Sequence, residues 1–347
     1  MKIYSMLQKI LACILILTAN IICVFAQSNR FITLSHVKAR PLAMGGAFTA
    51  VEDDLAAINF NPAAFSLYKL KKSKRITFFL NPVAPIIGAI DNKILFQGSG
   101  SKIEDYLFSL GLLLKSVSIS LGSIDFGFLL SEEGLNLPDI FVDEKFFRVS
   151  GFRQNHSHTF VARLKLADKV SFGGSASVLF GSQEADPLER QSGFGFSYGI
   201  LLKPEKGLSI GVSFVNMADS LKGFRLQSER IVDESVNVGI SYQPFNGTLL
   251  SLDVRNLGEE GSKVVREFHF GLEQVIFSHV AIRGGYYFKG GGDNVFSGGV
   301  GLFDLNTIFD LEDAFSHRNF VLNYAFVYEE TGVINDRRHF LSFLLRL

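Results

Sequence analysis

Apolar residues recur at every second position through most of the chain, from about residue 75 to residue 347. The segment from Val170 to Phe180 shows the pattern best, with bulky apolar side chains on one face and serine and glycine on the other. A period of two is typical of a β-strand with unlike faces. In a soluble sandwich the apolar face turns inward to a shared core, whereas in a membrane-spanning barrel it turns outward to lipid. The two architectures therefore predict opposite positions for the same side chains.

The pattern predicts about 14 strands, with boundaries uncertain by a few residues. They lie at 75–82, 104–115, 116–130, 156–166, 170–181, 193–202, 208–215, 235–242, 248–256, 266–274, 280–288, 295–302, 319–328 and 339–347. Long connections and short turns mostly alternate as far as residue 277, which is the rhythm of an up-and-down barrel and not of a Greek-key sandwich. The sequence therefore predicts an all-β fold, a transmembrane up-and-down antiparallel β-barrel.

Two places depart from this rhythm. The connection Phe303–Arg318 is long where a short turn is due, and it is either a periplasmic insertion or a strand that the pattern does not reveal. At Gly122 and Ser123 the alternation changes phase by one residue. A kink or bulge inside one strand explains this change, and so does a tight turn between two short strands. Gly122 and Ser123 are therefore a candidate strand kink.

The N-terminus has the pattern of a secretory signal. Lys2 and Lys9 precede and border an apolar stretch, and Val24 and Ala26 are small residues placed for cleavage before Gln27. An uncleaved membrane anchor is the alternative, although the apolar stretch is short for a span. We therefore divide the chain into a signal peptide at 1–26, an N-terminal segment at 27–74 and a barrel at 75–347.

The segment 27–74 does not alternate. Residues 53–60 resemble a short helix with an acidic N-terminal cap, and the Asn61-Pro62 pair ends it. A basic cluster follows, and a solvated or headgroup-facing patch is the interpretation we favour over a specific anion site. The cluster consists of Lys69, Lys71, Lys72, Lys74 and Arg75.

The amino-acid composition excludes several classes of function. The chain has 34 basic and 34 acidic residues, so it lacks the basic surplus that nucleic-acid binding needs. Its two cysteines, Cys13 and Cys23, lie in the predicted signal, which leaves no disulfide, thiol nucleophile or cysteine metal site. A mean hydropathy of +0.24 with 35 Phe and 33 Gly suits a barrel with aromatic residues toward lipid and glycine along a crowded lumen wall.

No catalytic, cofactor or metal site is predicted. Gly195–Gly199 matches a G-x-S-x-G pattern, but it lies within an alternating run and not at the strand-to-helix elbow that this nucleophile needs. His156 and His158 share a strand face without a third ligand nearby, so polar lumen or interface residues are the favoured interpretation. The sequence therefore argues against an enzyme.

Charged residues on the polar strand faces form a further group. We interpret them as a ladder of ion pairs and hydrogen bonds along the lumen in preference to a dedicated substrate site. The group consists of Arg163, Lys165, Asp253, Arg255, Glu267, His269, Glu273 and Arg283.

The segment Ala39–Ala63 resembles the N-terminal segment of the FadL-type outer-membrane transport proteins, including the PorV-like branch and the FadL-like proteins of spirochaetes. The resemblance implies a barrel of fourteen strands with a small N-terminal helical hatch in its lumen. It implies hatch or gating roles for Asn61, Pro62 and Ala63 and for the pair Gly45 and Gly46. In that family a kink in the third strand next to the hatch opens a side exit, and the third strand predicted here contains the phase change.

The resemblance also implies a function. The expected protein is an outer-membrane channel for passive uptake of long-chain fatty acids or other hydrophobic small molecules, with lateral exit into the bilayer. The alternative is a PorV-like accessory barrel that binds a secreted or outer-membrane protein. Expected partners are membrane lipids, a hydrophobic ligand and such a protein, with no cofactor and no nucleic acid. A hydrophobic lining near the hatch favours uptake, and a wide polar extracellular face favours the accessory role.

Overall fold

The computed structural model describes residues 32–34, 37–67, 75–82, 113–132, 147–149, 156–182, 190–217, 234–257, 266–276, 280–289, 294–303, 320–330 and 335–347. Its strands are β1 (Ile32–Leu34), β2 (Arg75–Leu80), β3 (Leu114–Ser120), β4 (Ile124–Glu132), β5 (Phe147–Val149), β6 (His156–Ala167), β7 (Val170–Ser182), β8 (Arg190–Leu202), β9 (Leu208–Met217), β10 (Glu234–Tyr242), β11 (Thr248–Arg255), β12 (Glu267–Ile276), β13 (Val280–Lys289), β14 (Asn294–Phe303), β15 (Phe320–Glu330) and β16 (Asn335–Arg346).

The described helices are α1 (Ala39–Ala43) and two 3-10 helices, Ala56–Asn59 and Pro62–Ala64. None of these helices is long and apolar enough to cross a membrane.

The sheet closes on itself. Its 16 strands include two short additions, β1 and β5, and without these two it is a ring of 14 strands. Neighbours along the chain pair antiparallel from β2 to β4 and from β6 to β16; β4 pairs with β6, and β16 pairs with β2 to complete the ring. The predicted up-and-down barrel of 14 strands is confirmed.

The two faces of each strand differ as the alternation requires. On β12, Phe268 and Phe270 are 53% and 43% exposed, whereas Glu267 and His269, which alternate with them, are each 3% exposed. The same arrangement recurs around the ring, so the apolar faces point outward and the polar faces line the lumen. An apolar outer surface of this extent suits lipid and not water. The structure is therefore a transmembrane barrel and not a sandwich.

Gly122 and Ser123 lie in a hairpin turn, so the candidate strand kink is wrong. β3 and β4 run antiparallel on either side of them, and the Leu121 amide donates a hydrogen bond to the Ile124 carbonyl at 2.8 Å. Gly122 has a φ of +91°, which glycine adopts without steric cost. The apolar phase changes because the chain reverses direction there. The strand predicted at 116–130 is thus two strands, β3 and β4, and β3 pairs directly with β2. Most of the strand predicted at 104–115 lies outside the described residues.

Several other predicted features lie outside the described residues, namely the signal at 1–26, most of the basic cluster after residue 68 and the connection at 304–319. The strands that flank this connection pair directly, with Phe303 opposite Val321. β14 and β15 are therefore neighbours in the ring, and the insertion and the unrevealed strand both stay predictions for this connection.

The two short strands lie beside the end of the chain. β1 runs parallel to β16 along His339–Leu341, and β5 pairs in parallel with the other edge of β1. The chain therefore passes along the wall of the barrel before it turns into the lumen at residue 37.

Candidate functional site

Residues 37–67 lie inside the barrel, and we call this segment the hatch. Its helix α1 contacts β13 to β16, whereas its 3-10 helix Pro62–Ala64 contacts β6 to β9. The hatch therefore reaches from one side of the ring to the other, and its main apolar side chains are buried. The predicted lumen hatch is observed.

The glycine pair after α1 is required by both conformation and space. Gly45 and Gly46 have φ values of +61° and +74°, in the left-handed region that favours glycine. A Cβ atom at Gly45 would lie 2.7 Å from the Tyr286 amide nitrogen and 2.8 Å from the Phe270 carbonyl oxygen. The Gly46 carbonyl accepts a hydrogen bond from the Arg255 guanidinium. The pair therefore turns the hatch chain directly against the wall.

The acidic cap predicted near residue 53 is present. The Asp53 carboxylate accepts hydrogen bonds from the amides of Leu55 at 2.9 Å and Ala56 at 2.6 Å. These bonds satisfy donors that the first turn of a helix leaves open. The helix that follows is a single 3-10 turn, because the Asn61-Pro62 pair stops it after Asn59.

Asn61, Pro62 and Ala63 join the two parts of the hatch to the wall. The Asn61 side chain accepts a hydrogen bond from the Ala63 amide at 3.0 Å and donates to the Thr49 carbonyl at 2.9 Å. Pro62 occupies the first helical position, where its missing N–H costs nothing. The Ala63 carbonyl accepts from the Ser171 hydroxyl at 2.9 Å. The motif therefore fixes the hatch position.

Inward-facing glycines on many strands make room for the hatch, and we call them the wall glycines. A Cβ atom at Gly271 would lie 2.6 Å from the Met44 carbonyl oxygen, and one at Gly127 would lie 2.8 Å from Cζ of Phe65. The same conflict with hatch atoms arises at Gly173, Gly199, Gly211, Gly239, Gly285 and Gly299. The wall glycines therefore let hatch and wall approach closely.

On one side of the lumen the hatch is held by polar contacts, and we call this side the polar sector. It comprises Asp253, Arg255, His269, Glu273 and Arg283 on the wall. One Asp253 carboxylate oxygen accepts from the amides of Phe48 at 2.8 Å and Thr49 at 2.9 Å and from the Thr49 hydroxyl at 2.7 Å. Three donors of one hatch turn thus converge on a single buried acceptor.

Arg40 extends the polar sector into a bridge. Its guanidinium donates two hydrogen bonds to Glu273, at 2.9 and 2.7 Å, and one to Asp53 at 2.7 Å. Arg283 approaches the same Glu273 carboxylate at 2.6 Å. Burial would lower the pKa of Arg40, but the attraction of Glu273 and Asp53 outweighs burial and holds the pKa above its ordinary value. Arg40 therefore stays charged and ties α1 to the wall.

Two further hatch carboxylates meet wall cations. Glu52 pairs with Arg163 at 2.7 Å and with Lys203. Burial raises the pKa of Glu52, yet these two cations outweigh burial and hold the pKa below its usual range. Asp54 pairs with Arg346 at the end of β16. Its burial and the neighbouring Asp53 prevail over Arg346 and raise the pKa of Asp54 to about 6.

On the side of the ring formed by β2, β4, β6, β15 and β16, an apolar cluster lies beside the ion pairs of Arg163 and Arg346, and we call this cluster the apolar sector. Its wall residues are Phe79, Leu129, Val161, Val321 and Leu344. They pack against apolar side chains of the hatch, namely Val37, Leu55, Ile58, Phe65 and Leu67. All of these except Val321 are buried. The interior thus contains a continuous apolar zone beside the hatch.

A cavity of about 390 Å³ lies beside the hatch at the end of the barrel where the short turns are. Charged and polar side chains line much of it, among them Arg40, Glu52, Lys169, Lys203 and Gln243. Such a cavity suits water and ions better than an apolar solute.

The remaining candidates take the places that the alternation predicts. The Gly195–Gly199 segment lies within β8 and forms no elbow. His158 lies on the outward, apolar face of β6, and its ring stacks on Phe128 with the ring centroids 6.1 Å apart. Within the described residues no group of three or more His, Cys, Asp or Glu side chains is arranged to hold a metal ion.

The charged wall residues were predicted to form a ladder of ion pairs and hydrogen bonds along the lumen. Arg283 pairs with Glu273 within the wall, and Asp253 and Arg163 bond to the hatch. Arg40, Thr49 and Phe65 make many hatch contacts and were not among the predicted site residues. The sequence does contain one signal of these contacts, because glycines recur on the lumen face of neighbouring strands. Glycine within a strand often marks a place where another segment of backbone approaches closely.

The chain is similar in structure to several proteins of known structure. It is 13% identical to the Ralstonia pickettii toluene transporter TbuX, with a TM-score of 0.49, over 90% of this chain and 97% of that one. It is 12% identical to the Pseudomonas putida toluene transporter TodX, with a TM-score of 0.46, over 91% and 98%. It is 10% identical to a Pseudomonas aeruginosa FadL homologue, with a TM-score of 0.43, over 90% and 95%. No protein-family model and no curated protein matches the chain.

Proposed function

We propose that this barrel is an outer-membrane channel for the passive uptake of hydrophobic small molecules, with long-chain fatty acids among them, past a hatch that occupies its lumen. The observation that carries the proposal is the apolar sector. It places a buried apolar zone between hatch and wall, in the part of a barrel that in a porin is polar and filled with water.

An apolar contact of this kind suits passage because it can be exchanged. Apolar packing is non-directional and depends mainly on the area withdrawn from water, so a solute can replace a side chain at little cost. A buried hydrogen bond cannot be replaced in this way, because its donors are left unsatisfied. An apolar solute therefore has a favourable path along the apolar sector and an unfavourable one along the polar sector.

A sideways exit into the bilayer is not part of the proposal. The exit was inferred from a kink at Gly122 and Ser123, and these residues form a hairpin turn. The proposal is confined to the step past the hatch.

The test uses outer-membrane vesicles with an intact lipopolysaccharide leaflet, which blocks the spontaneous entry of hydrophobic molecules. The vesicles come from a host that lacks its own channels of this kind. Entry of N-phenylnaphthylamine is followed by the rise in its fluorescence in the bilayer, and entry of radiolabelled oleate and toluene compares a fatty acid with a hydrocarbon. We expect faster entry with the protein than with an unrelated barrel of similar size.

If each of the three probes enters no faster with the protein than with the unrelated barrel, the proposed uptake is overturned. Such a result would bring forward the accessory barrel, which binds a secreted or surface protein at its outer loops. Planar-bilayer conductance supplies a second readout. Deletion of Arg40–Ala63 is expected to raise the ion conductance of a folded barrel, and an unchanged conductance would contradict a sealing role for the hatch.

A further inference from the structure

We propose that Phe65 closes the path of the solute, and that its ring occupies the place in the lumen that an apolar molecule takes during passage. This inference rests on the proposed function and assigns one residue to the closing step. It also narrows the solute class.

The position of the ring is unusual. Phe65 is wholly buried, and its ring lies over Gly127 on β4, next to Val161 on β6. A Cβ atom at Gly127 would lie 2.8 Å from Cζ of Phe65 and 3.0 Å from Cγ1 of Val161. The missing side chain of Gly127 thus forms a notch in the wall, and the edge of the Phe65 ring fills it.

The other buried aromatic residues of the hatch are held differently. Phe48 and Phe60 pack on each other, with ring centroids 5.5 Å apart. The Arg40 guanidinium lies over Phe48 at 5.2 Å, and the Arg255 guanidinium lies over Phe60 at 5.1 Å. These cation–π contacts attach both rings to the charged network.

In the part of the chain that the structure describes, no guanidinium lies over the Phe65 ring, and the apolar cluster to which Phe65 belongs includes Leu55, Ile58, Leu129 and Val161. Phe65 is therefore the hatch ring whose contacts an apolar molecule can take over without breaking a polar contact.

The size of the ring defines the class of solute. A phenyl ring has the width of one alkyl chain or one aromatic ring, so the vacated place admits unbranched alkyl chains and single-ring hydrocarbons. A charged group is excluded from it, because burial of an unpaired charge among apolar side chains is very costly.

The experiment changes the ring and the notch separately. Phe65→Ala removes the ring, and Phe65→Leu keeps an apolar side chain of smaller size. Gly127→Ala leaves the hatch intact and displaces the tip of the ring, because the added methyl group needs the space that Cζ occupies. Phe60→Ala is the matched control in the hatch. Gly284→Ala is the matched control in a strand, since a Cβ atom there meets nothing within 4 Å.

Entry of radiolabelled toluene into the outer-membrane vesicles is the readout, because a single-ring hydrocarbon belongs to the solute class that the place of the ring admits. We expect Phe65→Ala to raise the rate about tenfold, because the packing of a buried ring no longer opposes passage. Gly127→Ala and Phe65→Leu raise it by smaller factors, and both controls keep the parental rate. In the double variant, Gly127→Ala adds nothing to Phe65→Ala, because the ring that it displaces is gone.

The outcomes separate the two proposals. If the parent exceeds the unrelated barrel but Phe65→Ala and Gly127→Ala keep the parental rate in folded barrels, Phe65 is not the closing residue and uptake stands. Fully additive effects of the two substitutions also overturn the assignment. If neither parent nor variants exceed the unrelated barrel, the proposed uptake fails and the role of Phe65 fails with it.

Discussion

The polar and apolar sectors hold the same hatch by different means. In the polar sector, Asp253 alone receives three hydrogen bonds from the hatch, and Glu273 receives two from Arg40. In the apolar sector, Phe65 packs among buried aliphatic side chains such as Leu129 and Val161. The first kind of contact fixes the position of the hatch, because each bond has one geometry. The second kind resists exposure to water but has no preferred partner.

This difference indicates where a plugged barrel can open without losing its plug. Breaking the polar contacts would leave buried donors and charges without partners, which costs several kcal/mol. Exchanging apolar contacts with an apolar solute costs little, since the area withdrawn from water is nearly conserved. We therefore expect the hatch to stay attached at the polar sector and to yield at the apolar sector.

The largest effect is expected from Asp253. Asp253→Ala leaves three hatch donors without their acceptor and should lower the free energy of unfolding by about 4 kcal/mol. Urea titration of the protein in lipid vesicles measures this change, and exchange of the Phe48 and Thr49 amides locates it. Asp253→Asn, which keeps an oxygen acceptor, should cost less. A loss below about 1 kcal/mol for the alanine variant would show that the polar sector does not anchor the hatch.

The next effect belongs to the apolar sector. Leu129→Ala leaves a cavity among buried side chains and should lower the free energy of unfolding by about 3 kcal/mol. Leu164→Ala on the outer face of β6 is the matched control, because Leu164 is 42% exposed and its loss leaves no cavity. Equal losses for the two variants would contradict a tightly packed apolar sector.

A smaller effect distinguishes adjacent glycines. Gly285→Ala places a methyl group against Gly45 and Met44 of the hatch and should lower the free energy of unfolding by about 2 kcal/mol. Gly284→Ala is the control, because its methyl group meets open space and should change the free energy by less than about 0.5 kcal/mol. If the two variants unfold alike, the wall glycines do not serve the hatch.

The smallest effect is a pH dependence. The pKa of Asp54 is raised in the folded protein to about 6 from 3.8, so the folded protein binds this proton more tightly than the unfolded chain does. The free energy of unfolding contributed by Asp54 therefore rises as the pH falls from 6 to 4 and is lost again above pH 6. The lowered pKa of Glu52 has the opposite slope at the acid end of this window.

We expect a net contribution on the order of 1 kcal/mol from Asp54, obtained as the difference between the parent and Asp54→Asn in urea titrations at pH 4 and pH 6. A parent that loses stability relative to Asp54→Asn as the pH falls would contradict the assigned direction.

The sequence predicts the barrel well because each strand carries its two faces in a local alternation. The change of phase at Gly122 was ambiguous, since a bulge and a short turn both shift the pattern by one residue. The contacts of the hatch could not be predicted from local sequence patterns. Arg40 and Glu273, for example, are 233 residues apart, and the sequence near either residue does not indicate the other. Phe65 follows the Asn61-Pro62-Ala63 motif closely, yet its importance depends on a glycine of another strand.

The most direct test of the account compares hatch mobility in the two sectors. The predicted mature chain has no cysteine, so Ile58→Cys in the apolar sector and Met44→Cys beside the wall glycines Gly271 and Gly285 each supply a single buried thiol. Their reaction with a water-soluble methanethiosulfonate is measured in vesicles with and without saturating toluene. The account predicts that the probe accelerates the reaction at position 58 and leaves position 44 protected. Equal acceleration at both positions, or acceleration at position 44 alone, would contradict it.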